Sequence, residues 1–257
     1  MSGFWEWCGN AVAEPLLSVL FPPRCVGCGE FETYLCPRCR QALQAIGPDA
    51  CPRCGEPGPR ALVAGRCSSC LGLEVAFTGA RSAFVHAGPA QRLVLGLKAG
   101  DQRVLGRTMA RLAGPAFAAL LALTPSPKNT LVTWVPCHRT VQRRRGYNQA
   151  EVLARELVAG VPGLLSAGLV RKRFQTREQK GLDRAGRRGN LRGVFALDEN
   201  AVSALDGRPQ SIVLVDDVLT TGATAQEVSQ VLADGLGLPV YVFTFSRAVK
   251  GQFEGHD

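Results

Sequence analysis

Two adjacent carboxylates and a hydroxyl-rich turn are the residues of this chain best suited to chemistry. Asp216 and Asp217, the acidic pair, are followed closely by the turn, residues 220–224, which contains a glycine and three threonines. Helical spacing of apolar residues begins at Ala223, so the turn should open onto a helix N-terminus. Unpaired N–H groups and the helix dipole favour phosphate there, and Gly222 permits close approach of the backbone. Because carboxylates suit sugar hydroxyls, the pattern predicts a site for a phosphorylated sugar.

The residues before the acidic pair predict the strand that positions it. Residues 212–215 are Ile-Val-Leu-Val, the pattern of a strand covered on both faces in a parallel sheet. Asp216 and Asp217 are then expected at the carboxyl end of this strand. The alternative is an acidic pair that binds Mg²⁺ in another α/β protein, such as a phosphate-hydrolysing ATPase. That alternative is disfavoured, because the chain has neither a G-x-x-x-x-G-K-[ST] loop nor a G-x-G-x-x-G after a strand.

Eight of the ten cysteines occur in four C-x-x-C pairs near the amino terminus. They are Cys25 and Cys28, Cys36 and Cys39, Cys51 and Cys54, and Cys67 and Cys70. Four such pairs supply two tetrahedral sets of thiolates, which predicts two zinc ions, and since no position is left for water the zinc should be structural. Sequential pairing is the simplest scheme, and an interleaved cross-brace stays open. Iron is a weaker candidate, and a disulfide framework fits poorly with the lack of a secretion signal.

The positive charge of the chain is concentrated in one segment. The 257 residues carry 30 Lys and Arg against 21 Asp and Glu, a net charge of +9. The basic segment, residues 139–192, contains fourteen of these basic residues and four of the acidic ones, a balance of +10. The rest of the chain is therefore near neutral, and the basic segment is suited to a polyanionic small molecule, a nucleic acid or both.

Length and composition predict one standard domain with a small appended one. We expect a helix that packs on the main domain in residues 1–24, a double zinc ribbon in residues 25–75, and the main domain in residues 76–257. The longest apolar stretch, residues 116–123, is far shorter than the ~20 residues of a membrane helix. Without a basic leader segment a signal peptide is not expected either, so the sequence predicts a cytoplasmic protein with no membrane span.

Two loops of the main domain carry candidate ligand contacts. A strand predicted at residues 131–136 ends in a loop with His138 and Arg139, and the carboxyl ends of parallel strands are where such folds bind ligands. Residues 171–190, rich in Gly and Arg, are predicted to form a long loop that closes over a substrate. Periodicity alone makes Lys98 an ordinary solvated lysine at a helix end.

Five motifs carry a family resemblance. They are V-P-x-H-R at 135–139, R-R-G-Y-N-Q-A at 144–150, R-x-R-x-x-T-x-x-Q at 171–179, R-x-x-N at 187–190 and V-D-D-V-x-T-T-G-A-T at 215–224. With the zinc ribbon and the G-L-K-x-G-D stretch around Lys98, they resemble the ComF family of competence-related proteins, which are similar to type I phosphoribosyltransferases. The resemblance covers essentially the whole chain. Cys137 and Ala99 depart from the apolar and aromatic residues usual in the family.

The resemblance implies an α/β fold of the type I phosphoribosyltransferase kind, a mostly parallel sheet flanked by helices. It implies that Asp216 and Asp217 hold the ribose hydroxyls of 5-phosphoribosyl 1-diphosphate (PRPP), with Mg²⁺, and that either could deprotonate a nucleophile. The other residues that it assigns to PRPP are Val215, Thr220, Thr221, Gly222, Ala223 and Thr224. Those that it assigns to the pyrophosphate and flexible loops are Lys98, His138, Arg139, Arg145, Asn148, Gln179, Arg188 and Asn190.

Two classes of function follow from the resemblance. One is a transferase that moves phosphoribose from PRPP to an acceptor that no motif identifies. The other is a non-catalytic component of DNA uptake that binds PRPP or single-stranded DNA, with competence proteins as partners. A zinc-ribbon interaction module with a degenerate PRPP site is a third reading, against which the intact motif argues. The oligomeric state stays open.

Overall fold

The structure is a computed structural model, which describes residues 22–58, 61–99, 102–174 and 193–249. The helices of these residues are α1 (Pro37–Gln41), α2 (Gly88–Lys98), α3 (Leu105–Leu121), α4 (Arg139–Arg145), α5 (Gln149–Ala159), α6 (Glu199–Ser203) and α7 (Ala223–Leu236), with a 3₁₀ turn at Pro127–Asn129. The strands are β1 (Gly79–Val85), β2 (Thr130–Trp134), β3 (Leu165–Ser166), β4 (Val170–Lys172), β5 (Phe195–Leu197), β6 (Ser211–Leu219) and β7 (Val240–Arg247). In this part of the chain, no helix has the length and apolarity needed to cross a membrane.

Five parallel strands form the central sheet, in the order β1-β7-β6-β2-β3. The apolar run of β6, residues 212–215, is fully buried, as the sequence pattern predicts for a strand covered on both faces. One face packs against α2, α3 and α5 around Leu93, Met109 and Leu153. The other packs against α7 around Val228. The predicted fold class, a mostly parallel sheet flanked by helices with a zinc ribbon before it, is confirmed.

The central strand β6 is longer than the sequence pattern predicts. We expected it to end at Val215, but it continues to Leu219, so Asp216 and Asp217 lie within the strand rather than after its end. The physical reason is that β7 continues to pair with β6 through Asp216, Val218 and Leu219. On the other side, β2 ends at Trp134, opposite Val215. The acidic pair therefore begins where the neighbouring strand β2 stops.

The zinc ribbon covers the edge of the sheet. The backbone N–H of Ile46 donates to the carbonyl of Ala83 at 2.9 Å, and the N–H of Val85 donates to the carbonyl of Gln44 at 2.8 Å. These bonds satisfy backbone groups on β1 that would otherwise be exposed at an edge strand. The helix predicted in residues 1–24 lies almost entirely outside the described residues.

The long loop predicted at residues 171–190 begins later than expected. β4 takes up its first residues and pairs antiparallel with β5, with Val170 opposite Leu197 and Lys172 opposite Phe195. The sequence has little strand periodicity here, but the two strands form because Val170 of β4 and Phe195 of β5 are buried in the core. Gln179, Arg188 and Asn190 lie outside the described residues.

Candidate functional site

The knuckle cysteines gather into two sets of four. The first set is Cys25, Cys28, Cys36 and Cys39, and the second set is Cys51, Cys54, Cys67 and Cys70. Within each set the sulfur atoms lie within 4.8 Å of one another, and all of them except that of Cys28 belong to buried residues. The pairing is sequential. Four sulfur donors within this reach fit a tetrahedral structural Zn²⁺.

Backbone N–H groups are directed at the sulfur atoms. Cys25 Sγ accepts from the N–H of Gly27 at 3.4 Å and from that of Cys36 at 3.3 Å. Burial alone would raise the pKa of Cys25, but these donors lower it to about 6. In the same way, N–H donors outweigh burial and lower the pKa of Cys51 to about 7. At least one thiol of each set is thus shifted toward the thiolate, the form that binds zinc.

The two carboxylates of the acidic pair have different surroundings. Successive side chains of a strand point to opposite faces, and Asp217 is buried whereas Asp216 is only partly buried. Asp216 Oδ1 accepts a hydrogen bond from the backbone N–H of Asp217 at 2.9 Å. Loss of water contact and the neighbouring carboxylate raise the pKa of Asp216 well above its ordinary value. Val215, just before the pair, is fully buried, so its side chain belongs to the core.

An ion pair with Lys98 keeps the buried Asp217 ionised. Lys98 Nζ lies 2.5 Å from Asp217 Oδ2, and the two side chains are 35% and 7% exposed. Burial would raise the pKa of Asp217, but the ammonium of Lys98 lowers it. Lys98 is held there because α2 packs on the sheet through Leu97, whose carbonyl accepts from the hydroxyl of Tyr147 at 2.6 Å. The solvated helix-end lysine expected from periodicity is therefore an ion-pair partner.

The hydroxyl-rich turn leads directly into α7. Gly222 precedes the helix with φ 79°, in the left-handed region that favours glycine. No side chain caps this 14-residue helix at its N-cap position, although the N–H of Ala223 points to Thr221 Oγ1 at 3.4 Å. Thr220 is exposed, and Thr224 is partly buried in the first turn. The start of α7 is thus open to an anion, which the helix dipole favours.

A cleft of about 400 Å³ lies beside the acidic pair. Asp216 and Asp217 line one part of it, and His138, Arg144 and Lys172 line another. The cleft therefore places carboxylates and cationic side chains around one volume, at the carboxyl end of the sheet where α/β folds bind ligands.

Local structure fixes the loop that follows β2. His138 caps α4, because its Nδ1 accepts from the N–H of Thr140 at 3.3 Å. Arg139, the first residue of α4, is exposed. Cys137 is partly buried in the cleft wall, and this burial raises the pKa of its thiol. The loop thus presents a ring and a thiol to the cleft and directs a guanidinium toward solvent.

Arg145 and Asn148 have structural partners and are not among the residues that line the cleft. Arg145 bonds through Nη1 to Gln149 Oε1. Asn148 is buried and caps α5, with Oδ1 accepting from the N–H of Ala150 at 3.1 Å and Nδ2 donating to the carbonyl of Val135 at 3.0 Å. Asn148 therefore ties the start of α5 to the end of β2 and holds the intervening loop in place.

Sequence reasoning missed three residues at or near the site. Arg144 lines the cleft, whereas the family resemblance indicates Arg145, and the motif R-R-G-Y-N-Q-A does not distinguish these adjacent arginines. Lys172 falls in the loop predicted at residues 171–190 and is not one of the candidate ligand contacts, yet it is partly buried at the cleft, and burial lowers its pKa. Arg247 is buried at the end of β7 and bonds to the zinc ribbon. No sequence signal marked Arg247, because its partners are distant in the chain.

Comparisons with known proteins match both parts of the chain. A family model described as a double zinc ribbon domain matches residues 16–71. The chain is 31% identical to Competence protein F of Haemophilus influenzae over 216 residues, which cover 81% of this chain and 90% of that protein. It is 27% identical to the DNA utilization protein YhgH of Salmonella typhi, with coverage of 84% and 91%. A hypoxanthine phosphoribosyltransferase from Staphylococcus aureus aligns in structure at a TM-score of 0.33 and 11% identity, over 58% of this chain and 68% of that one.

The match to Competence protein F extends over both the zinc ribbon and the main domain, since it covers most of each protein. The two four-cysteine sets agree with the family model for the double zinc ribbon. We conclude that this chain belongs to the ComF family of competence-related proteins.

Proposed function

We propose that this chain binds PRPP together with Mg²⁺ in the cleft beside the acidic pair. The observation that carries the proposal is the position of two complementary parts, one in the second half of β6 and one directly after it. Asp216 offers a carboxylate to the ribose hydroxyls, and the uncapped start of α7 offers N–H groups to the 5-phosphate. The hydroxyl-rich turn follows β6 directly and leads into α7, so both parts belong to one short stretch of the chain.

The cationic wall of the cleft fits the rest of the ligand. PRPP carries a diphosphate at C1, which needs positive charge around it. Arg144 and Lys172 line the cleft together with the acidic pair, and an arginine can bind phosphate oxygens in a bidentate manner. The remaining arginines of α4 add to the positive field at its rim.

The two carboxylates take different roles in this proposal. Asp217 is the counterion of Lys98, with Oδ2 2.5 Å from Nζ, and this ion pair connects α2 to β6. Asp216 is the ribose ligand, because its carboxyl group lines the cleft without a basic partner of its own among the described ion pairs. When it is ionised, its raised pKa makes it a stronger base than an ordinary aspartate. Asp216 and the phosphate oxygens of PRPP are the ligand type that Mg²⁺ prefers, and the ion would neutralise charge that develops on the leaving diphosphate.

Bound PRPP would then react at C1 of the ribose. A lone pair of the acceptor forms the new bond to C1, the C1–O bond to diphosphate breaks, and diphosphate leaves with the electron pair. The proton lost by the acceptor passes to Asp216. Arg144 stabilises the charge of the departing diphosphate, which is where an electrostatic contribution to catalysis is largest.

Titration calorimetry with PRPP, with and without Mg²⁺, tests the proposal. We expect saturable binding of one PRPP per chain that requires Mg²⁺ and is competed by pyrophosphate. Release of pyrophosphate on addition of nucleobases or other nucleophiles then identifies an acceptor. No binding of PRPP in either condition would overturn the proposal.

A second candidate function, binding of single-stranded DNA, is favoured by the charge of the basic segment. Arg143 and Arg144 on α4 are exposed, and Arg171 is exposed on β4, so phosphates of a nucleic acid could reach them. The relatives bear the names Competence protein F and DNA utilization protein, which agrees with such a ligand. Clustered arginines bind a polyanion chiefly by releasing its counterions, without reading its sequence.

A further inference from the structure

Arg247, the last residue of β7, connects the second cysteine set to the sheet. It is buried, and its Nη1 donates to the carbonyl of Cys54 at 2.6 Å. Its Nη2 and Nε donate to Glu56 Oε2 at 2.6 Å and 3.2 Å. Cys54 is one of the four sulfur donors of the second set, and Glu56 follows it in the same knuckle. The guanidinium of Arg247 therefore holds this knuckle by charge and by hydrogen bonds.

The backbone of Arg247 is bound to the strand that carries the acidic pair. In the register between β6 and β7, Arg247 lies opposite Leu219. The N–H of the next residue, Ala248, donates to the carbonyl of Leu219 at 3.0 Å. Leu219 directly precedes the hydroxyl-rich turn. Arg247 therefore contacts the zinc ribbon through its side chain, and its strand, β7, is paired with the residue at which the turn begins.

Two further features place the second set behind the hydroxyl-rich turn. The N–H of Ala76, which follows the zinc ribbon, donates to Oε1 of Gln226 in the first turn of α7 at 2.7 Å. The residues that line a cavity of about 30 Å³ include Cys54 of the second set and Thr221 and Gly222 of the turn. A gap of this size holds about one water molecule, so the knuckle and the turn are close neighbours.

The first cysteine set contacts a different part of the fold. Arg92 of α2 donates through Nη1 to the carbonyl of Gly27. Gly96, also on α2, lies so close to the first knuckle that a Cβ at this position would be 3.7 Å from Cγ1 of Val26. The first set thus contacts α2, whereas the second set contacts β7 and the region of the turn. Loss of zinc from one set can therefore be compared with loss of zinc from the other.

We propose that the second cysteine set, acting through Arg247, positions the hydroxyl-rich turn for the 5-phosphate of PRPP. The inference rests on the proposed function, and it makes the second zinc ion a support of the ligand site rather than of the ribbon alone. Arg247 is a positioning residue, since it holds the turn through Leu219 and the knuckle through Cys54. The first set stabilises the ribbon and α2 and leaves the turn in place.

Four variants separate these roles. Glu56→Gln removes the charge partner of Arg247 at nearly constant size, and Cys67→Ser removes a ligand of the second set. Cys28→Ser removes a ligand of the first set and is the matched control for zinc loss. Glu156→Gln breaks an exposed ion pair with Arg107, 3.6 Å long, and is the control for loss of a carboxylate.

Ribose 5-phosphate and pyrophosphate are titrated separately into each variant by calorimetry. In Glu56→Gln and Cys67→Ser we expect the affinity for ribose 5-phosphate to fall roughly tenfold or more, as on loss of an outer-shell partner, with pyrophosphate affinity retained. A purely structural role would lower both affinities or neither. Cys28→Ser and Glu156→Gln should bind ribose 5-phosphate as the wild type does. Equal losses for both ligands, or no loss in Glu56→Gln, would overturn the inference.

Hydrogen exchange without ligand keeps this test independent of the proposed function. Peptides from residues 219–226 should exchange faster in Glu56→Gln and Cys67→Ser, and at the wild-type rate in Cys28→Ser and Glu156→Gln. If the wild type binds neither ligand, the proposed function fails and the exchange rates alone decide. Unchanged exchange in Glu56→Gln and Cys67→Ser would then refute the coupling.

Discussion

Lys98 and Asp217 form an ion pair in which Nζ lies 2.5 Å from Oδ2, between the end of α2 and the middle of the central strand. This ion pair gives different properties to two carboxyl groups that are adjacent in the sequence. Asp217 is held ionised with its pKa lowered by Lys98 against the effect of burial, whereas the pKa of Asp216 is raised by loss of water and by Asp217. The predictions below depend on this difference.

The first prediction is that Asp217→Asn destabilises the protein and Asp216→Asn does not. Loss of Asp217 leaves Lys98 without its carboxylate. Because Lys98 is about one-third exposed, we expect a cost of about 1–2 kcal/mol, less than for a fully buried pair. Loss of Asp216 removes a carboxylate whose charged form is disfavoured. Urea denaturation at neutral pH checks both, and equal destabilisation by the two substitutions would contradict the assignment.

The second prediction concerns pH. A raised pKa means that neutral Asp216 contributes stability that is complete below about pH 3.9, its ordinary pKa, and is lost as the pH rises through the folded-state value. The unfolding free energy of the wild type should therefore fall relative to that of Asp216→Asn as the pH is raised from about 3.9 through the raised pKa of the folded state. A constant difference between the two proteins over this range would show that Asp216 is already ionised at the lower limit.

The third prediction is that each chain holds two zinc ions. Elemental analysis of protein purified without chelator should find two, and Cys28→Ser should retain one while the parallel sheet stays folded. The ribbon should unfold around the lost site, because a structural zinc ion contributes on the order of 10 kcal/mol in zinc-finger peptides. Cys137→Ser, which alters a thiol outside both sets, is the control and should keep both ions. Fewer than one zinc ion in the wild type, or disulfide bonds, would refute the prediction.

Sequence patterns predicted the parts of this protein that depend on local residue order. The apolar run before Asp216 predicted a strand covered on both faces, and the C-x-x-C spacing predicted two four-sulfur sets. The start of α7 at Ala223 followed from the glycine and the change in periodicity. In each case the residues that determine the structure are neighbours in the chain.

Features that depend on distant contacts were not predictable in the same way. The extension of β6 to Leu219 depends on its pairing with β7, because the acidic pair interrupts the apolar pattern from which the strand was predicted. The partner of Lys98 lies on another element, more than a hundred residues away, and Arg247 binds a knuckle at the opposite end of the sequence. Such pairings are set by the packing of whole elements, so only the folded structure reveals them.

The fourth prediction is that the protein binds single-stranded DNA with a strong dependence on salt and no sequence preference. Affinity should fall with a log-log slope of roughly 0.7 per phosphate contacted. Replacing Arg143 and Arg144 with Gln should reduce that slope, while Arg107→Gln, outside the basic segment, should not change it. Gel-shift titrations at several salt concentrations, repeated with PRPP and Mg²⁺, test the slope and show whether the ligands compete. Lack of binding even at low salt would leave PRPP as the ligand of the basic segment.

The most direct test of the central claim is calorimetric titration of PRPP with Mg²⁺ into the wild type and Asp216→Asn. Asp216→Asn should keep its zinc and its fold, because the substitution removes a carboxylate that faces the cleft and whose charged form is disfavoured. We predict Mg²⁺-dependent binding to the wild type and a loss of at least about a hundredfold in the variant, roughly 2.7 kcal/mol. Equal affinity of the two proteins for PRPP would contradict the assignment of Asp216 to the ribose.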